Sequence, residues 1–227
     1  MRRRAAMLAL PLAFLARPLA AAPPGPVVVE LFTSEGCSSC PPADAVLLDL
    51  AEGRPDVLAL SWHVTYWDRL GWRDRFSLAE ATARQRRYVA ALRLESPYTP
   101  QAVVQGRRDV VGSDRRALLA AIAAAAPPAG PSLSLAAAGD QALAEIGAGA
   151  GEGSLWLIGY DARQATAVGA GENRGRRLVH ANVVRAAVAA GAWRGAPASL
   201  ALPRPAGERL ALLLQAPDGA VLAAARA

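Results

Sequence analysis

Residues 33–44 read TSEGCSSCPPAD, and they hold both cysteines of the 227-residue chain, Cys37 and Cys40, with Pro41 and Pro42 directly behind. Ahead of them PVVVELF (26–32) is a β-branched run of the kind shown by a strand buried on both faces. Behind them ADAVLLDLAEG (43–53) sets Val46, Leu47, Leu50 and Ala51 at helical spacing and closes on Gly53. The cysteines therefore occupy a strand-to-helix turn, with Cys40 at the opening of the helix. Proline fits just behind them because the first helical N–H groups have no carbonyl to bond.

That position bears on the chemistry. Unpaired N–H groups and the helix dipole favour a thiolate on Cys37. Lowering a thiol pKa from ~8.5 to ~7 raises its thiolate fraction at pH 7 from roughly 3% to 50%. Intrinsic nucleophilicity falls by about fivefold over the same shift, so attack improves only about threefold. The larger gain is in departure, since a stabilised thiolate leaves readily and makes an oxidised Cys37–Cys40 pair a willing electron acceptor. The expectation is a pair of sulfurs on an accessible rim, Cys37 attacking and Cys40 resolving. Glu35, two residues before Cys37, is the nearest carboxylate in sequence and opposes thiolate formation.

Working outward, DVLALSWHV (56–64) reads as a second strand. SLAEATARQRRYVAALRLE (77–95) reads as a long helix with Ser77 and Glu80 as a capping box. QAVVQG and DVVG follow as a hairpin through Gly106, and Ser113 caps a helix in DRRALLAAIAAAA. The order is β-α-β-α-β-β-α. PPAGP (127–131) then reads as a linker, and beyond it short apolar stretches broken by Gly, Pro, Asp and Asn suggest a small antiparallel sandwich. The expected division is a leader over 1–22, an α/β domain with a central mixed sheet over 26–128, and a β-rich, sandwich-like C-terminal domain over 130–227.

A C-x-x-C between strand and helix, in this order of elements, resembles the thioredoxin superfamily over residues 26–126. The stretches VVELFTSEGCSSCPPAD, LSWHVTYWDRLGWRDRF, ARQRRY, YTPQAVVQG, VGSDR and GENRGR followed by NVVR are more specific. They are similar to a bacterial family of secreted thioredoxin-like proteins catalogued as a domain of unknown function, DUF1223. The superfamily resemblance implies a thioredoxin-like fold and a cis-proline facing the cysteines, and Thr99-Pro100 stands where that proline belongs. Exposed backbone beside it would pair with an extended substrate segment. The resemblance also implies a buried acid six residues before the first cysteine, but Leu31 occupies that position. Glu30, one residue off, should face the other way.

Other candidates come from the residues themselves. His63 ends the second strand, at the sheet edge shared with Cys37, where an imidazolium would stabilise the thiolate or shuttle a proton; a structural histidine is an equal reading. Trp62, Tyr66, Trp67 and Trp72 crowd the next loop and could roof the site, Trp67 foremost, or simply pack. Asp68 reads as a turn residue. In GAGENRGRRL (169–178), Glu172, Asn173 and Arg174 are marked by the family resemblance, although a tight hairpin with solvated charges explains them as well. His180 and Asn182 read as structural strand residues.

Composition narrows the field. Arg2, Arg3 and Arg4 lead an apolar run from Ala5 to Ala16, with small residues at Ala20–Ala22, the pattern of a secretory signal. Arg17 and Pro18 cut the run short of the roughly 20 residues a membrane span needs. The expected setting is therefore periplasmic or secreted, where disulfides persist, with no stable membrane insertion after cleavage. The formal charge is +6, and without the four leader arginines 21 basic residues face 19 acidic ones, which removes the main support for nucleic-acid binding. The chain has no lysine, and its arginine pairs, Arg86/Arg87 among them, read as solvated surface.

The best reading is a thiol–disulfide oxidoreductase acting on protein thiols or disulfides, recycled by an unidentified redox partner, with the disulfide itself and no organic cofactor. One alternative is a copper(I) metallochaperone using the two thiolates and His63. Another is a binding or scaffold protein with a permanent cross-link. Structural zinc needs four ligands and is disfavoured, and no G-x-S-x-G appears for serine-hydrolase chemistry.

Overall fold

The computed structural model describes residues 25–125 and 130–227. The leader expected over 1–22 lies outside those residues, as does most of the stretch read as a linker.

The first half follows the expected order: β1 (Val27–Thr33), α1 (Pro41–Gly53), β2 (Val57–His63), α2 (Ala79–Ala91), β3 (Gln101–Val104), β4 (Arg108–Val111) and α3 (Arg115–Ala124). The second half is entirely β: β5 (Leu133–Ala138), β6 (Gln141–Ile146), β7 (Gly153–Ala167), β8 (Arg177–Trp193), β9 (Ala198–Pro203), β10 (Arg209–Gln215) and β11 (Val221–Arg226). Hydrogen bonding does not stop near residue 130, where the sequence suggested a division. Eight strands form one mixed sheet in the order β11-β10-β7-β8-β2-β1-β3-β4, and β5-β6-β9 form a small second sheet. The physical reason lies at β2, whose outer edge would otherwise present unpaired N–H and C=O groups. β8 covers it in parallel at Ser61↔Val183, and Asn182 Nδ2 donates to the Ala59 carbonyl at 2.8 Å.

Period-two alternation assigns the faces. Val28, Phe32, Leu58, Leu60 and Trp62 join Ala81 and Tyr88 of α2, and Ile158, Tyr160 and Leu213 continue that layer. Val29, Leu31, Val57 and Ala59 face Leu47 and Leu50 of α1 and Leu118 and Ile122 of α3. Farther along, Leu155, Leu157, Leu210, Leu212 and Leu214 pack against Ala142, Ala144 and Ile146 of the small sheet. Thus α1, α3 and the small sheet cover one face, and α2 lies on the other. Glu30 follows Val28 and Phe32 to the α2 face, where Arg84 and Tyr88 bind its carboxylate.

Two helix starts differ from the sequence reading. Leu78, not Ser77, is the N-cap of α2, and the Ser77 hydroxyl donates to Asp68 Oδ2 at 2.7 Å instead of closing a capping box. Asp114, not Ser113, caps α3 by accepting from Ala117 N at 2.9 Å. The short apolar stretches read around residues 155–190 are two long strands, β7 and β8, paired from Gly153↔Trp193 to Ala167↔Arg177. Their connecting tip, residues 168–176, reaches the cysteine turn. No helix of the described residues is long and apolar enough to cross a membrane.

Candidate functional site

β1 delivers Thr33 to the edge of the sheet, the chain turns through 34–39, and Cys40 is the N-cap residue of α1 with prolines in the first turn. Cys37 and Cys40 form a disulfide, with their Cα atoms 5.4 Å apart. Cys37 N donates to the Ser34 carbonyl and Cys40 N to the Cys37 carbonyl, each at 3.2 Å, so the turn is held by its own backbone. The Thr99-Pro100 bond is cis, as the superfamily resemblance implied. Thr99 Oγ1 donates to Cys37 Sγ at 3.4 Å, and Trp67 Nε1 donates to the same hydroxyl at 2.8 Å. Trp67 therefore braces the threonine that touches the sulfur.

The expected accessible rim is absent: Cys37 and Cys40 are both 0% exposed, although Ser38 and Ser39 between them face solvent. The turn is also held from far along the chain. Asn173, at the β7–β8 tip, donates both amide hydrogens, one to the Glu35 carbonyl and one to the Cys37 carbonyl, each at 2.9 Å. Its Oδ1 accepts from Arg176 at 2.9 Å, and Glu172 Oε2 accepts from Ser38 N at 3.0 Å. Hydrogen bonding from the Ser38 side chain and backbone holds the Glu172 carboxyl below its usual range. Gly171 lets the tip approach. Its φ is +70°, and a Cβ there would lie 3.0 Å from Trp72 Cβ. The tip is a clasp over the cysteine turn.

Beneath the turn lies a buried cluster of polar side chains, five of them titratable. Thr33, Ser61 and His63 alternate onto the α1 side of β1 and β2, α1 contributes Asp44, β8 contributes His180, and loops contribute Glu35 and Asp74. All seven are buried. Thr33 Oγ1 donates to Asp44 Oδ1 at 2.9 Å, and Trp72 Nε1 donates to Glu35 Oε2 at 2.8 Å. His63 Nδ1 lies 2.6 Å from Asp74 Oδ2, which also accepts from Glu35 N at 2.8 Å. His180 sits between Asp44 (Nδ1 to Oδ2, 3.5 Å) and Glu35 (Nε2 to Oε1, 3.9 Å), edge-on to His63 with centroids 4.7 Å apart. Glu35 Oε1, Asp44 Oδ2, His63 Nε2 and both His180 nitrogens have no hydrogen-bond partner. Among the described residues, no three His, Cys, Asp or Glu side chains form a group that could hold a metal ion.

Charge within the cluster is set by neighbours. Burial disfavours a charged imidazole at His63, but Asp74, and beyond it Asp44 and Glu35, outweigh that cost and hold its pKa above the ordinary value. Burial likewise disfavours an Asp74 carboxylate, yet His63 and the N–H groups of Glu35 and Phe76 pull it down to about 2. His63 and Asp74 thus form a buried, directly bonded pair in which each favours the charged form of the other.

The family model of proteins of unknown function designated DUF1223 matches residues 28–215. The chain belongs to that family. A solved X-ray crystal structure of a protein from Agrobacterium tumefaciens is 32% identical, with a TM-score of 0.76 over 91% of this chain and 95% of that one. HBP35 of Porphyromonas gingivalis is similar in fold alone, at 13% identity and a TM-score of 0.59 over 90% of this chain and 75% of that one. No curated protein matches the chain.

The DUF1223 match spans both halves, so the cysteine turn and its clasp lie within one family unit. Of the residues singled out in the sequence, Cys37 and Cys40 form the disulfide, Thr99 touches it, Trp67 holds Thr99, and Pro100 follows Thr99 across the cis bond. Glu35 and His63 belong to the cluster below it, and His63 is bound to Asp74 rather than to Cys37. Trp62 packs in the α2 layer, away from the cysteines, with the Arg84 guanidinium 5.1 Å from its ring. Tyr66 bonds Gln85 at 3.2 Å, and Asp68 is the turn residue it was read as, accepting from Asp74 N at 3.2 Å. Asp44, Asp74 and His180 were missed as site residues. Asp44 carried one signal, a carboxylate on the apolar face of a helix. The other two carried none.

Proposed function

We propose that this DUF1223 protein is a thiol–disulfide oxidoreductase of the thioredoxin type, acting on protein thiols outside the cytoplasm, with its reactive pair kept beneath a clasp. The observation that carries the reading is the contact between Cys37 Sγ and Thr99 Oγ1, directly before cis Pro100, in a turn that opens a helix. That arrangement supplies a sulfur stabilised by a helix N-terminus and a backbone segment able to receive a substrate strand.

A substrate thiolate attacks Cys37 Sγ, the Cys37–Cys40 bond breaks, and Cys40 departs with the electron pair and takes up a proton. A second substrate thiolate attacks the substrate sulfur of the mixed disulfide, and Cys37 leaves as thiolate. Two substrate thiols are thereby oxidised to a disulfide while the pair is reduced; the reverse order reduces a substrate disulfide. The proton taken up by Cys40 is the one the substrate thiol gives up to solvent. Exchange requires the clasp to open first.

Burial of both sulfurs favours a second reading, a permanent cross-link that fastens the turn. Trapping separates the two. With Cys40→Ala, reduced unfolded protein activated as a mixed disulfide should accumulate on Cys37, and Cys37→Ala should capture none. Equilibration with glutathione buffers gives the potential: a value above about −300 mV supports exchange. Capture no better than the Cys37→Ala control, together with a pair that glutathione cannot reduce, refutes it.

A further inference from the structure

On the α2 face of the sheet, whereas the disulfide is carried by α1 on the other, a cavity of about 470 Å³ opens between α2, the start of β7 and the β10–β11 turn. Its floor is a closed network. Arg84 binds Glu30 through Nε and Nη2, Nη2 also reaches Tyr88 Oη at 3.2 Å, and Nη1 reaches Gln215 Oε1 at 3.3 Å. Gln215 Nε2 donates to Tyr88 Oη at 2.9 Å and to the Gly219 carbonyl at 2.6 Å. Glu30 offsets the charge of Arg84, so the floor is rigid and close to neutral.

Arg87, one helical turn along, is different. Its guanidinium lies 4.8 Å over the Trp156 ring, and among the described residues no carboxylate comes within ion-pair distance of it. The carboxylates around it are committed elsewhere or unpaired: Glu30, whose charge reaches Arg87, is bound by Arg84, Asp218 at the cavity wall pairs with Arg107 at 2.9 Å, and Glu80 lines a smaller adjoining cavity of about 120 Å³ without pairing. Partial burial and the neighbouring Arg84 cation lower the Arg87 pKa against a smaller opposing pull from Glu30, so the fold holds two guanidinium groups near one another against their repulsion. The remaining wall is largely apolar, with Trp156, Ala90, Ala91 and Pro217. An aromatic side chain, an apolar wall and one fork of N–H donors without an ion-pair partner are complementary to a planar or aliphatic body ending in a carboxylate.

We infer that this cavity is a binding site for a small organic carboxylate, with Arg87 receiving the carboxylate and Trp156 the body beside it. The site shares no residue with the disulfide, so its test stands apart from exchange at Cys37. Titrate the full protein with indole-3-acetate and phenylacetate, their primary amides, and inorganic phosphate, following calorimetry and tryptophan fluorescence. The carboxylates should bind, and the amides at least tenfold more weakly. Arg87→Gln, an exposed position, should lose at least tenfold while keeping its melting temperature, and Trp156→Leu should weaken binding and abolish the fluorescence change. Equal binding of acid and amide, no effect of Arg87→Gln, phosphate binding as tightly as the carboxylates, or no carboxylate binding at millimolar concentration each overturns the assignment.

Discussion

Replacing Asn173 with alanine tests whether the β7–β8 tip controls access to the disulfide. The amide donates to two carbonyls, Glu35 and Cys37, at 2.9 Å each, and Asn173 is 0% exposed. An unpaired buried carbonyl costs about 1–3 kcal/mol. Taking about 2 kcal/mol for the pair, because water enters part of the vacated space, the open state of the clasp gains about thirtyfold in population. If thiols reach Cys37 only through that open state, the rate of disulfide reduction rises by the same factor. The assay is timed reduction by dithiothreitol below the unfolding transition, quenched by alkylation and read by mass. A control distinguishes local opening from general weakening. Leu212→Ala removes a fully buried side chain from between the two sheets and costs about 2–5 kcal/mol of global stability. Under clasp opening, Asn173→Ala accelerates reduction and Leu212→Ala does not. If both accelerate in proportion to lost stability, or Asn173→Ala leaves the rate unchanged, the clasp is not the point of entry.

Three further outcomes follow from the packing. Gly171→Ala puts a side chain at φ +70° and 3.0 Å from Trp72 Cβ, so it should cost about 1–2 kcal/mol and speed reduction in the same assay; a neutral effect on both would contradict the close approach. His63 has a raised pKa, so its contribution is full below about 6.5 and fades as pH rises through its folded value, whereas the Asp74 contribution is full above about 3.9 and fades as pH falls towards about 2. The stability difference between the parent and Asp74→Asn, measured by urea unfolding, should therefore be largest between about pH 4 and 6.5 and shrink as pH rises above that window; a pH-independent difference removes the charge coupling between His63 and Asp74. Arg84→Met strands the buried Glu30 charge and should cost about 3–5 kcal/mol, while adding Glu30→Leu should recover most of it; a double variant as unstable as the single one would show that packing, not charge, sets the loss.

Local order was largely legible. The β-branched run before Cys37 and the helical spacing after Cys40 identify β1, α1 and the turn between them, because face alternation and helix periodicity are carried by neighbouring residues. The resemblance to known families located Thr99-Pro100, and the parity of β1 turned Glu30 away from the cysteine side. Asp74 and His180 were opaque for the opposite reason. Each looks like an ordinary loop or strand residue, and its meaning comes from partners on other elements.

The sequence by itself determined that a cysteine pair opens a helix at a sheet edge. Only the tertiary structure decided that β8 seals the edge of β2, that one sheet crosses the boundary suggested near residue 130, and that the β7–β8 tip bonds to the cysteine turn. The reason is physical: an Asn173–Cys37 bond spans 136 residues, and such contacts are selected by the burial of whole strands and the satisfaction of remote backbone groups, neither of which leaves a periodic trace in the chain.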